Sequence, residues 1–118
     1  MEQQNNNKNQ QVGMENPSKE ADIFISSVEI EHFKNIPTTV HVILKVIKNG
    51  VVVDKQDTPF VSEDEADMFS RTLATTVSGL PLDFWSTSVG DIAVYYSLTD
   101  PDDQDTVFRI TIYPKNLK

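Results

Sequence analysis

The stretch Val40-His41-Val42-Ile43-Leu44-Lys45-Val46-Ile47-Lys48-Asn49-Gly50-Val51-Val52-Val53-Asp54-Lys55-Gln56 decides the fold. Its β-branched residues suit a pleated, half-buried strand. Asn49-Gly50 is the preferred dipeptide of a two-residue type I′ turn, because both central positions need positive φ. The spacing predicts a hairpin with strands over 38–48 and 51–56. With Asn49 and Gly50 at the tip, Val46 should face Val53, Ile47 should face Val52, and Lys45 should face Asp54 as an opposite-charge pair. Val40, Val42, Leu44, Val46 and Val53 then form the core face. Ile43, Ile47 and Val52 leave the other face partly apolar, to be covered by a neighbouring segment or by a partner.

After the hairpin, Ser62-Glu63-Asp64-Glu65 reads as a capping box, with Ser62 as N-cap and Glu65 at N3. Three acids in the first turn suit the positive end of a helix dipole. Ala66, Phe69, Leu73, Val77 and Leu80 follow helical spacing, Gly79 is a natural residue just past the helix end, and Pro81 prevents continuation. Met68 falls opposite the apolar stripe. Leu80, Leu82, Phe84 and Trp85 read as a lid on the core. A second hairpin is expected over 90–98 and 106–113, with Ile92, Val94, Tyr96 and Leu98 on one face of its first strand. The turn-rich segment Thr99-Asp100-Pro101-Asp102-Asp103-Gln104-Asp105 joins its strands. Before the first hairpin, 23–33 alternates well enough to predict another strand, with a bulge near Ser26-Ser27.

The expected fold class is therefore α+β: a mostly antiparallel sheet of about five strands on one helix, in the order β, β-hairpin, α, β-hairpin. From Thr38 to Tyr113, the ββαββ order resembles that of β-grasp proteins and small immunoglobulin-binding domains, in which the two hairpins would join through a parallel pair.

The chain has 118 residues and an apolar share of 38%, enough for one domain. Residues 1–21 hold a Gln/Asn-rich run from Gln3 to Gln11 with almost nothing to bury. Such a segment does not offset an ordering cost of roughly 1–2 kcal/mol per residue, so 1–21 is expected to be a disordered polar tail and 22–118 a single domain. No cysteine is present, which excludes disulfides and thiolate metal sites. The polar start does not resemble a signal peptide, no apolar run is long enough for a membrane helix, and a cytoplasmic location is expected.

Charge is the remaining signal. Eighteen acids against ten bases give a formal net of −8. From Asp54 to Asp105 there are twelve acids and only Lys55 and Arg71 as bases, a net of −10. A direct nucleic-acid binder needs a basic footprint, which this chain lacks, so neither nucleic acid nor an anionic membrane is an expected partner. A protein with a basic surface is. The acidic loop lacks the bend glycine and closing glutamate of a calcium hand, so no metal or cofactor is expected. His32 and His41 read as ordinary surface or edge histidines. No nucleophile elbow, triad or phosphate loop is visible, so no catalytic residue is assigned. The candidate partner-binding residues are Asp100, Asp102, Asp103 and Asp105 of the loop, and Glu63, Asp64, Asp67 and Met68 at the helix start. Tyr95, Arg109 and Tyr113 join them on an outer sheet face, since aromatics and arginine favour interface hot spots. The expected function is a small, acidic, non-enzymatic interaction protein. One form is an inhibitor or adaptor of a nucleic-acid-handling protein, of the kind phages encode, with spaced carboxylates imitating phosphates. The alternatives are a self-assembling structural subunit and, less favoured, a small-ligand-binding domain or enzyme.

Overall fold

The structure is a computed structural model and describes residues 24–35 and 39–114. The expected disordered tail, 1–21, lies outside the described residues. The elements are helix α1 (Ser27–Phe33), strands β1 (Val40–Lys48) and β2 (Val51–Phe60), and helix α2 (Glu63–Ser78). A short 3-10 turn (Leu82–Phe84) then leads into β3 (Ser86–Val89), β4 (Val94–Thr99) and β5 (Thr106–Tyr113). One five-stranded antiparallel sheet results, in the order β2-β1-β5-β4-β3. The α+β class with a helix packed on an antiparallel sheet is as the sequence predicts. The resemblance to the β-grasp does not hold, because three strands rather than two follow α2 and the pair β1–β5 runs antiparallel.

The first hairpin forms at the predicted tip, where Asn49 and Gly50 take φ of 53° and 81°. Its register departs from expectation after two pairs. Lys48 faces Val51 and Ile47 faces Val52, but Val46 faces Asp54 and Lys45 faces Lys55. Val53 is the extra residue of a β-bulge, which turns its side chain out of the core; it is 58% exposed. The predicted Lys45–Asp54 pair is thereby replaced by two facing lysines.

β1 lies between β2 and β5 and is buried on both faces. On one face Val40, Val42 and Leu44 join Phe108, Ile110 and Ile112 of β5 beneath Ala66, Leu73 and Ala74 of α2, with Leu82 and Trp85 closing the end. The expected lid is split: Trp85 is buried near Phe108, whereas Phe84 is 67% exposed. Ser62 Oγ accepts from the Glu65 N–H at 3.2 Å, and Gly79 ends α2 at φ 78°. In the second hairpin, the strand predicted from 90 begins only at Val94, so Ile92 is exposed in the turn, and the short strand β3 supplies an edge the sequence reading did not foresee.

The opposite face carries the main correction. Residues 27–33, predicted as strand, form α1. Ser26 Oγ accepts from the Glu29 N–H at 3.2 Å, and Glu29 Oε1 accepts from the Ser26 N–H at 2.8 Å, a complete capping box. The local signature Ser26-x-x-Glu29 thus outweighs the apparent alternation. Segment 24–35 lies across the second apolar face of the sheet, with Ile25 and Phe33 packed on Ile43. His41 is not a surface residue: it is 2% exposed on the central strand, stacked on Phe33 with ring centroids 4.1 Å apart, and its Nδ1 lies 3.2 Å from Asp57 Oδ1. His32 is exposed.

Candidate protein-binding surface

The sequence points to three groups of binding residues, and the topology separates them. Lys48 pairs with Thr106, so the β4–β5 loop bearing Asp100, Asp102, Asp103 and Asp105 sits at the same end of the sheet as the Asn49-Gly50 turn. Val40 pairs with Phe60 and His41 with Tyr113, so the start of α2, with Glu63, Asp64, Asp67 and Met68, sits at the other end. The eight residues of β5 lie between, roughly 23 Å of strand. The carboxylates therefore form two acidic sites rather than one surface.

The loop is internally tied. Asp100 Oδ1 accepts from the Asp102 N–H at 2.9 Å and Asp103 Oδ1 from the Asp105 N–H at 3.0 Å. Asp103 Oδ2 takes Lys48 Nζ and Thr106 Oγ1, each at 2.9 Å. The Lys48 contact, followed by the bonds from Thr106 and Asp105, lowers the Asp103 pKa to about 2. These oxygens shape the turn and hold it against β1. Asp102 and Asp105 remain exposed.

Tyr95, Arg109 and Tyr113 do share the outer sheet face, as the strand alternation predicts, but segment 24–35 covers them. Phe24 packs on Tyr95 at 4.8 Å between ring centroids, the Arg109 guanidinium stands 4.4 Å over the Phe24 ring, and Phe33 lies 5.8 Å from Tyr113. They anchor the protein's own N-terminal segment, which corrects their reading as exposed partner anchors.

Beneath the same segment lies a charge cluster that the sequence reading missed. Glu29 is 8% exposed and Lys45 6% exposed. Glu29 Oε1 accepts from Lys45 Nζ at 3.2 Å and Oε2 from Lys55 Nζ at 2.7 Å, while Lys45 also donates to the Phe24 carbonyl at 3.1 Å. One carboxylate thus bridges the two lysines that the bulge sets opposite each other. Burial pushes the Glu29 pKa up, but the hydrogen bonds from Lys55 and Ser26 and the charge of Lys45 outweigh it and hold the pKa at about 2. The signal for this site was Glu29 at N3 of a capping box.

A cavity of about 300 Å³ adjoins this cluster, between Val28, Glu29, His32 and Phe33 and the β2 residues Lys55 and Asp57; a second, acidic cleft lies at the start of α2. A cavity of about 210 Å³ opens between Glu63, Asp64 and Asp67 on the helix and Val94, Tyr96 and Ile112 on the sheet. Three formal negative charges outweigh the roughly half positive charge of the helix N-terminus. Arg71 draws on part of this field, with Nε 3.3 Å from Asp67 Oδ2 and Nη1 3.6 Å from Asp83 Oδ1. Burial first and the Asp67 charge second raise the Tyr96 phenol pKa. Met68 is 70% exposed and Val61, just before the cap, 69%. The cleft combines carboxylates at its rim with aliphatic and aromatic walls, which complements a side chain with an apolar stem and a cationic head.

Among the described residues no group of His, Asp and Glu could hold a metal ion, and no helix is long and apolar enough to cross a membrane. The chain matches no protein-family model, no curated protein and no solved structure.

Proposed function

We propose that this is a non-enzymatic interaction protein that binds a basic protein surface through the start of α2. The cleft edged by Glu63, Asp64 and Asp67 over Val94, Tyr96 and Ile112 carries this reading. A lysine or arginine of the partner enters with its stem against the apolar wall and its charge among the carboxylates, while Met68 and Val61 supply exposed apolar contact beside it. The net charge of −8 steers such a partner toward the molecule from a distance. A basic nucleic-acid-handling protein is one partner of suitable charge, and blocking its basic groove is the inhibitory form of this activity.

The test compares two charge-neutralising variants of the full chain, E63Q/D64N/D67N and D100N/D102N/D105N, each removing three negative charges, in binding to lysine-rich and arginine-rich peptides at low and moderate ionic strength. Binding should weaken by roughly tenfold or more in the helix variant and by only a few-fold in the loop variant, which loses steering but no contact. Equal loss in both variants would reduce the interaction to net charge, and unchanged binding in the helix variant would remove the cleft from the proposal.

A further inference from the structure

The two edges of the sheet differ in how they are protected. β2 carries Asp54, Lys55 and Asp57, a bulge at Val53, and Pro59. Those are the features that keep an edge strand from pairing with another chain. β3 is Ser86-Thr87-Ser88-Val89, with no charge and no proline, and every residue of it is exposed. Among the described residues no strand lies beyond it. α2 packs chiefly over β1, β5 and β2. Phe84 before the strand and Val89 and Ile92 at its far end are 67%, 65% and 43% exposed.

The direction of the backbone groups follows from the hairpin. The Gly90 N–H donates to the Ala93 carbonyl at 2.9 Å. Pairing alternates along an antiparallel ladder, so Ser88 and Ser86 bond inward to Tyr95 and Ser97, while Thr87 and Val89 turn their N–H and C=O outward. We propose that this edge pairs with β3 of a second copy, antiparallel about a two-fold axis at Ser88, joining the two sheets into one. In that register Thr87 of each copy exchanges hydrogen bonds with Val89 of the other, and the two Ser88 residues face each other at the axis.

A second copy is the occupant whose strand matches this edge, because the outward groups at Thr87 and Val89 lie symmetrically about Ser88 and meet their own equivalents. Each copy carries a net −8 and repels another over most of its surface, but at this edge a neutral strand meets a neutral strand. Asp83 and Asp91 flank it, so the association strengthens as salt screens them. Four residues of strand make a small contact, and the pairing is weak and concentration-dependent.

Sedimentation velocity of the full chain across a concentration series tests this, with folding of each variant checked by circular dichroism. The wild type should shift toward dimer at high concentration. Thr87→Pro removes an outward N–H and should abolish the shift. Ser88→Glu places like charges directly opposite each other at the axis and should weaken the dimer by about fivefold to tenfold, as should Ser88→Lys, while an equimolar mixture of the two should associate again. Recovery on mixing would not occur if the substitutions had merely damaged the fold. A wild type that stays monomeric at the highest concentration overturns the proposal. So does association that persists in both Ser88 variants, which would trace it to another surface such as the Gln/Asn-rich N-terminal stretch.

Discussion

Glu29 holds a lysine from each of two neighbouring strands, and its removal would take away the carboxylate that Lys45 and Lys55 share. Breaking a buried pair by deleting one partner costs about 3–5 kcal/mol. Separate opening of segment 24–35 would let water reach Lys45, and the global unfolding midpoint of Glu29→Ala should then fall by less than that figure implies. The full loss should appear instead as collapsed amide protection in 27–33. Glu29→Gln keeps acceptor and donor capacity and should lose less. An equal, uniform loss of protection across the sheet would show that α1 does not open separately. The pH dependence has a definite sign. The Glu29 pKa is lowered from 4.5 to about 2 on folding, so its contribution is fully present above about pH 4.5 and is lost as pH falls toward 2. A shift of that size corresponds to on the order of 3 kcal/mol. Following the carboxyl resonances by NMR should place both Glu29 and Asp103 near 2, well below the ordinary carboxylate range.

The helices are fixed by their ends, which is where substitutions should be felt. Ser62→Ala removes the acceptor for the Glu65 N–H and should cost about 1 kcal/mol. Gly79→Ala should cost a similar amount, about 1 kcal/mol, because its φ of 78° strains any residue with a Cβ although the space beside it is open. Urea unfolding reads both, and additive losses are expected for two ends separated by the 16 residues of α2. Ser62, Gly79 and the Asn49-Gly50 turn were legible in the sequence because each is a local device whose residue types match the backbone it needs. α1 carried an equally local device, Ser26-x-x-Glu29, but the alternation of 23–33 concealed it, since a seven-residue helix shows barely two turns of periodicity. The bulge at Val53 had no local marker; packing between β1, β2 and α1 selects it, and it brings Lys55 to Glu29. β3 was missed for the opposite reason: Ser86-Thr87-Ser88-Val89 is short and polar, and only its pairing with β4 makes it a strand. Of the candidate site, the acids at the start of α2 were legible from sequence. Their cleft was not, because Val94, Tyr96 and Ile112 come from strands that only the sheet order brings beneath the helix.

At the scale of the whole molecule, the unequal distribution of charge sets two associations against each other. The acidic cleft lies under the start of α2, with the acidic loop at the far end of the sheet, while β3 is a neutral edge strand. Added salt screens attraction between the cleft and a cationic partner, and it equally screens repulsion between two copies that each carry −8. Raising ionic strength should therefore weaken binding of a lysine-rich peptide while strengthening self-association of the same sample. The variants separate the two effects. E63Q/D64N/D67N should flatten the salt dependence of peptide binding and, by lowering net charge, favour self-pairing, whereas Thr87→Pro should abolish self-pairing and leave the salt dependence of peptide binding in place, since the three carboxylates remain. Measuring both equilibria in one salt series, by peptide fluorescence anisotropy and by sedimentation, gives slopes of opposite sign if the acids and the edge act as separate surfaces. Slopes of the same sign would mean that self-association itself runs through the acidic residues, with a basic patch of one copy taking the place assigned here to a partner.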